Sequence, residues 1–179
     1  MSNYIRRHVP GGTYFFTVCL QDQGSDLLIR QIALLRDATR LCQKQMPFRI
    51  DAAVILPAEL HMIWTLPDGD SDYSGRWRMI KSTFSRHLPT PATRTRVQAR
   101  RREKGIWQRR FREHVIMDES DLARHMHLIV TAPLRAGLVR RTGDWPYASW
   151  HHRADTIPRI RTIAPVPSSP DPAIAAPAR

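Results

Sequence analysis

Apolar residues recur every two positions in some segments of this chain and every three or four positions in others. Few folds satisfy the order in which these segments follow one another. Gly11-Gly12 precede an aromatic run with the composition of a β-strand. From residue 27 to residue 45, apolar side chains recur every three or four positions, as they do on one face of a helix. Two strand-like runs follow with only Pro57-Ala58 between them, which predicts a hairpin.

The order of predicted elements indicates the fold class. The predicted strands cover residues 13–20, 48–56, 60–66 and 106–112 with 115–116, and the predicted helices cover 27–45, 74–86 and 121–131. Pro133 is expected to end the last helix. This order is that of a ferredoxin-like α+β fold, with an antiparallel sheet, helices on one face and a further C-terminal helix. Residues 88–104 lack periodicity and are predicted to form a mobile basic loop.

Length and composition favour one domain with a tail. Residues 1–153 carry the periodic segments, whereas residues 154–179 hold six of the fourteen prolines and predict a disordered tail. Cys19 and Cys42 are not in paired-ligand spacing, which argues against a disulfide scaffold and a cysteine-rich zinc site. No apolar run approaches eighteen residues, so a cytoplasmic protein without a membrane span is expected.

Positive charge is concentrated in residues 76–112. This stretch holds thirteen Lys or Arg and one acid, Glu103, while the rest of the chain has fifteen basic and fifteen acidic residues. Such segregation is typical of a surface that binds a polyanion, and the interleaved aromatic residues suggest stacking with bases. The predicted nucleic-acid contacts are Arg76, Arg78, Lys81, Arg100, Arg101, Arg102, Lys104, Trp107, Arg109, Arg110 and Arg112.

Glu59 and His61 are the candidate chemical groups. On a strand they share one face, where a carboxylate and an imidazole can hold one divalent metal ion that polarises a phosphate. Taken from these residues alone, the pair favours the simpler interpretation, a solvated Glu59 beside a His61 that is merely hydrogen-bonded at the strand surface. His125 and His127 are offset by two residues on the predicted last helix and point in different directions, so no rival histidine site is expected.

Several ordered motifs resemble the REP-associated tyrosine transposases, a family of the HUH single-strand nuclease superfamily. The resemblance spans residues 4–153. The motifs are Gly11-Gly12-Thr13-Tyr14-Phe15-Phe16-Thr17, Leu56-Pro57, Leu60-His61, Trp64-Thr65-Leu66-Pro67, Gly75-Arg76-Trp77, Ile80-Lys81, Gly105-Ile106-Trp107-Gln108-Arg109-Arg110-Phe111, Glu113-His114, Pro133, Gly137-Leu138-Val139 and Trp145-Pro146-Tyr147.

The resemblance implies a ferredoxin-like domain that binds single-stranded or hairpin DNA in the bacterial cytoplasm, near the nucleoid. In this family a His-hydrophobic-His strand holds a divalent metal, and a tyrosine on a later helix attacks the phosphodiester. Here the first histidine position is Glu59 and only His61 is retained, a pair that can still bind Mg²⁺ or Mn²⁺. The tyrosine position falls on Leu128, and the asparagine position one turn later falls on Ala132.

Leucine has no atom that can attack phosphorus, so the tyrosine reaction is expected to be lost. The leading hypothesis is therefore a transposase-family protein that binds single-stranded or hairpin DNA without strand transfer. A metal-dependent nuclease that uses Glu59, His61 and water is the alternative. A protein that binds structured RNA on the same basic surface is a third.

Overall fold

Four antiparallel strands form one sheet in the computed structural model, which describes residues 7–152. The sheet order is β2-β3-β1-β4. The strands are β1 (Thr13–Cys19), β2 (Arg49–Ile55), β3 (Glu59–Thr65) and β4 (Arg112–Val115). The ferredoxin-like sheet and the hairpin predicted from the sequence are confirmed. The predicted tail, 154–179, lies outside the described residues.

Five α-helices connect and cover these strands within the described part of the chain. They are α1 (Leu27–Arg30), α2 (Ile32–Gln45), α3 (Tyr73–Arg86), α4 (Arg96–Arg100) and α5 (Glu119–Arg135). The single helix predicted over 27–45 is two, because the backbone of Gln31 (φ −112°, ψ 31°) leaves the helical region. No helix in residues 7–152 is both long and apolar enough to span a membrane.

The two faces of the sheet are covered by different helices. On one face, α2 and α3 enclose the larger core, in which Trp64 and Trp77 stack with their ring centroids 4.3 Å apart. On the other face, α5 contributes Ile129 and Ala132 to a smaller apolar cluster that includes Ile63. The period of two predicted for β3 is confirmed, since Ile63 belongs to the smaller cluster and its neighbour Trp64 to the larger core.

Helix α5 passes through Pro133 instead of ending before it. Proline lacks an N–H and usually interrupts a helix. Here the side chain of Pro133 is buried, and the helix closes one turn later with hydrogen bonds from the N–H of Ala136 to Ala132 O and from the N–H of Leu138 to Pro133 O, both 3.0 Å. Gly137, at φ +69°, then ends the helix in the left-handed conformation. The predicted end of the helix at Pro133 is therefore wrong.

The basic segment after α3 is more regular than its sequence predicts. Thr95 and Gln98 form a reciprocal capping box at the start of α4, so part of the predicted aperiodic loop is a short helix. Gly105, at φ +76°, packs so closely on this turn that a Cβ atom would lie 2.8 Å from Gln98 Oε1. The strand predicted from residue 106 begins only at Arg112, and Trp107 forms an isolated bridge to Leu20.

Candidate functional site

The sheet face beneath α5 brings polar side chains from three strands into rows. In the register of β3, β1 and β4, His61 lies opposite Thr17, and Thr17 lies opposite Arg112. The adjacent row consists of Ile63, Phe15 and His114. Side chains in register on neighbouring strands are close neighbours on one face. Arg112 therefore shares a row with the candidate metal ligand His61.

Glu59 and His61 are held as a pair on this face. Glu59 Oε1 lies 3.5 Å from His61 Nε2, and Thr17 Oγ1 lies 3.0 Å from His61 Nδ1. The hydrogen bond with His61 lowers the pKa of Glu59, although burial opposes it, so the carboxylate is ionised at neutral pH. Thr17 fixes the ring through Nδ1 and leaves Nε2 on the side of the carboxylate, which is how a metal-binding histidine is usually oriented.

This pair fits a divalent cation. Ligand atoms about 2.1 Å from a single ion lie roughly 3 to 4 Å apart, and the Glu59 oxygen and the His61 nitrogen meet that condition. A mixed oxygen and nitrogen set suits Mn²⁺ better than Mg²⁺, which prefers oxygen. The pair predicted from the sequence is thus assembled, with Arg112 beside it as a fixed positive charge.

One stripe of α5, which includes the buried Ala132, also carries Leu128. At 100° per residue, these two residues fall with Asp121 and His125 within an arc of about 60°. The His125 ring lies 4.7 Å from the Phe15 ring, which in turn lies 5.8 Å from the His61 ring. Ala132 is 6% exposed within the cluster that contains Ile63. The two positions that the resemblance aligns with tyrosine and asparagine therefore present only hydrocarbon on this stripe.

The other tyrosines of residues 7–152, and Cys19, are poorly suited to replace a tyrosine at position 128. Tyr14, Tyr73 and Tyr147 pack against the larger core, on the opposite face of the sheet from His61. Tyr14 is fully buried and its hydroxyl donates to Val9 O. Burial and the neighbouring Glu59 raise the pKa of the Cys19 thiol to about 11, so little thiolate is present at neutral pH.

A groove of about 530 Å³ runs between α3 and residues 102–111. Six basic side chains and one acid, Glu103, line it. The basic residues are Arg78, Lys81, Arg86, Arg102, Lys104 and Arg109. The strongly basic stretch of the sequence thus forms a concave surface, which we call the basic groove. Such a surface is suited to a phosphate backbone.

Two residues of the predicted nucleic-acid surface lie in the interior. Arg76 is 1% exposed, and its guanidinium donates to Asp70 Oδ2 at 2.6 Å and to Pro47 O at 2.7 Å. Trp107 is 9% exposed and packs on Phe84 in the larger core. Because its guanidinium is already enclosed by protein, the expectation that Arg76 reads phosphate is wrong. Trp107 borders the basic groove, and its stacking on bases stays a prediction.

Two lysines of residues 76–112 donate hydrogen bonds to backbone carbonyls at the basic groove. Lys104 Nζ donates to the carbonyl oxygens of Ser85, Arg86 and Leu88 at 2.6 to 2.9 Å, at the C-terminal end of α3. Lys81 Nζ donates to Gln108 O at 2.6 Å. Arg78, Arg100, Arg101, Arg102, Arg109, Arg110 and Arg112 are exposed. Their contact with nucleic acid stays a prediction.

Replacing Lys104 with Ala should destabilise the fold rather than only weaken a ligand contact. The change leaves three carbonyls at the end of α3 without their donor and should cost about 1 to 2 kcal/mol of unfolding free energy in urea denaturation. Arg101→Ala, which removes an exposed charge nearby, should leave stability unchanged within about 0.5 kcal/mol. Equal stability of the two variants would contradict the capping role.

A second histidine cluster lies at the edge of the sheet. His114 on β4 and Asp121 and His125 on α5 place one ligand atom each within 4.8 Å of one another. His114 Nε2 is 2.8 Å from Asp121 Oδ2, and His125 Nδ1 is 3.0 Å from Asp121 Oδ1. The expectation of no rival histidine site is therefore wrong. The spacing of Asp121 and His125 by four residues on one helix was the available signal.

Comparison with known proteins identifies similar chains. A REP-associated tyrosine transposase of Escherichia coli K12 is 40% identical over 151 residues, which cover 84% of each chain. A putative REP-associated tyrosine transposase of Haemophilus influenzae is 41% identical over 152 residues, covering 84% of this chain and 86% of its own. A solved REP-associated tyrosine transposase bound to a REP hairpin superposes with a TM-score of 0.74 at 40% identity. The match covers 85% of this chain and 84% of the solved one. No family model matches the chain.

Proposed function

This chain belongs to the REP-associated tyrosine transposase family, and from that premise we propose that it binds hairpin or single-stranded DNA without tyrosine strand transfer. The observation that carries the binding part is the basic groove, where six cations surround one acid. The related protein solved with a REP hairpin, at a TM-score of 0.74, supports the same class of ligand. The cytoplasmic, nucleoid-associated location expected from the sequence stays a prediction.

Charge continues from the basic groove to the sheet face. Arg109 lines the basic groove, Arg110 follows it, and Arg112 lies in register with Thr17 beside His61. A strand of nucleic acid held by the exposed arginines of the basic groove would thus reach Arg112, which is suited to hold one phosphate near Glu59 and His61. A divalent ion on that pair would polarise a phosphate oxygen.

The proposed loss of strand transfer follows from position 128. Strand transfer by this family needs a hydroxyl that becomes covalently joined to the 5′ phosphate, and Leu128 supplies none. Ala132 adds no oxygen ligand one turn later. Binding of the hairpin requires neither side chain, so recognition is retained in this proposal while the covalent step is absent.

A second candidate function is metal-dependent hydrolysis of single-stranded DNA. The 3.5 Å approach of Glu59 and His61, together with Arg112 in the same row, favours it because these groups suffice to bind a metal and a phosphate. Water would then take the place of the tyrosine, and the product would be cleaved DNA with no protein attached.

The test is a labelled DNA hairpin with a single-stranded flank, incubated with the protein and Mn²⁺ and analysed on native and denaturing gels. We expect a shift on the native gel and unchanged DNA on the denaturing gel. Cleavage without a protein adduct would support hydrolysis instead. An adduct on the unmodified protein, or stronger binding to an RNA hairpin of the same sequence, would overturn the proposal.

A further inference from the structure

We propose that His114, Asp121 and His125 form a divalent transition-metal site, separate from the Glu59 and His61 pair. The three residues offer two imidazole nitrogens and one carboxylate oxygen within 4.8 Å of one another. They come from two elements, with His114 on β4 and the other two residues on α5. The proposal does not depend on DNA binding or on the chemistry at position 128.

Asp121 provides a buried and oriented carboxylate. Its side chain is 4% exposed, and its Oδ2 accepts the N–H of Met117 at 3.0 Å. Arg124 Nη2 lies 2.7 Å from its Oδ1, and His114 Nε2 lies 2.8 Å from its Oδ2. A buried carboxylate held in place by such contacts is a strong ligand for a cation.

The two imidazole rings are also restricted. The rings of His114 and His125 stack with centroids 4.5 Å apart and an interplanar angle of 20°. His125 is 12% exposed and rests against Phe15, whereas His114 is 46% exposed and leaves the site open to solvent. Binding would therefore order few additional side-chain rotamers, and water could complete the coordination.

The donor set selects the class of cation. Two imidazoles and one carboxylate suit Zn²⁺ and its neighbours in the first transition row, while Mg²⁺ and Ca²⁺ prefer oxygen ligands. The guanidinium of Arg124 lies 2.7 Å from Asp121 Oδ1, but its side chain is 67% exposed and has room to turn into solvent when a cation takes that oxygen. We therefore take Zn²⁺ as the probe.

A metal at this site would join the edge of the sheet to the start of α5. Strand β4 is short, with four residues, and is held to the sheet through its pairing with β1. His125 lies three residues before position 128 on the same stripe of the helix. The bound ion would thus fix the part of α5 that faces His61 relative to β4.

Isothermal titration of the metal-free full-length protein with Zn²⁺ tests the site. We expect one strong site that remains in the Glu59→Ala/His61→Ala variant and disappears in the His114→Ala/His125→Ala variant. His127→Ala, an exposed histidine on the same helix, should bind Zn²⁺ as the parent does. At a hundredfold excess over Kd, Zn²⁺ should raise the Tm of the parent by about 5 °C and not that of the His114→Ala/His125→Ala variant.

Other outcomes would overturn the site. These are no Zn²⁺ binding by the parent, binding that survives the loss of both histidines, or binding lost with His61. His114→Ala alone, which changes a half-exposed residue on an edge strand, should lower affinity at least tenfold and covers the case in which the double variant does not fold. DNA binding on a native gel is measured separately, so failure of the metal site is distinguishable from failure of the proposed function.

Discussion

The Leu128→Tyr/Ala132→Asn/Glu59→His variant should form a Mn²⁺-dependent covalent adduct with hairpin DNA, whereas the parent forms none. The changes supply a phenol as nucleophile, an amide oxygen one turn later and a second imidazole beside His61. The physical reason for expecting success is that α5 still packs on the sheet face of His61, with Ala132 in the cluster around Ile63. The adduct is measured as labelled DNA that migrates with the protein on a denaturing gel.

The matched control differs from this variant only at the reactive atom. Leu128→Phe, combined with the same changes at Ala132 and Glu59, provides the ring without the hydroxyl and should give no adduct. Leu128→Tyr alone should give little, because catalytic groups that act as a unit are not additive. A folded triple variant that binds DNA but forms no adduct would refute the idea that the surrounding site is preserved.

Replacing Arg78, Arg102 and Arg109 together with Ala should weaken hairpin DNA binding about a hundredfold at moderate salt. These exposed residues line the basic groove from both sides, on α3 and on the segment before β4. If each holds one phosphate of a single strand, the slope of log K against log salt should become shallower by about 2. Fluorescence anisotropy at several salt concentrations measures both quantities.

A control variant that loses the same number of positive charges distinguishes direct contact with DNA from general electrostatic attraction. Arg30, Arg40 and Arg141 are also exposed, but each is paired with an aspartate and none belongs to the basic groove. Their combined replacement with Ala should change affinity less than threefold. Equal losses in the two triple variants would mean that net charge, and not the basic groove, determines binding.

The sequence alone determined β1, β2, β3, the hairpin and the face of β3. These features depend on neighbours along the chain: alternation in Leu60, His61 and Met62 assigns each side chain to a face once the segment is a strand. Ordered motifs likewise indicated the family, and the identity of Leu128 by itself carries the proposal that the tyrosine reaction is absent. No packing detail was required, since chemistry absent from a side chain cannot be restored by its position.

Only the tertiary structure decided which charged residues are free for a ligand. Arg76 and Arg78 are two residues apart and look alike in sequence, yet the first is enclosed with Asp70 and the second is exposed in the basic groove. His114 and His125 meet at Asp121 because β4 lies beneath the start of α5. Burial and clustering of this kind depend on contacts between distant segments, which local periodicity does not encode.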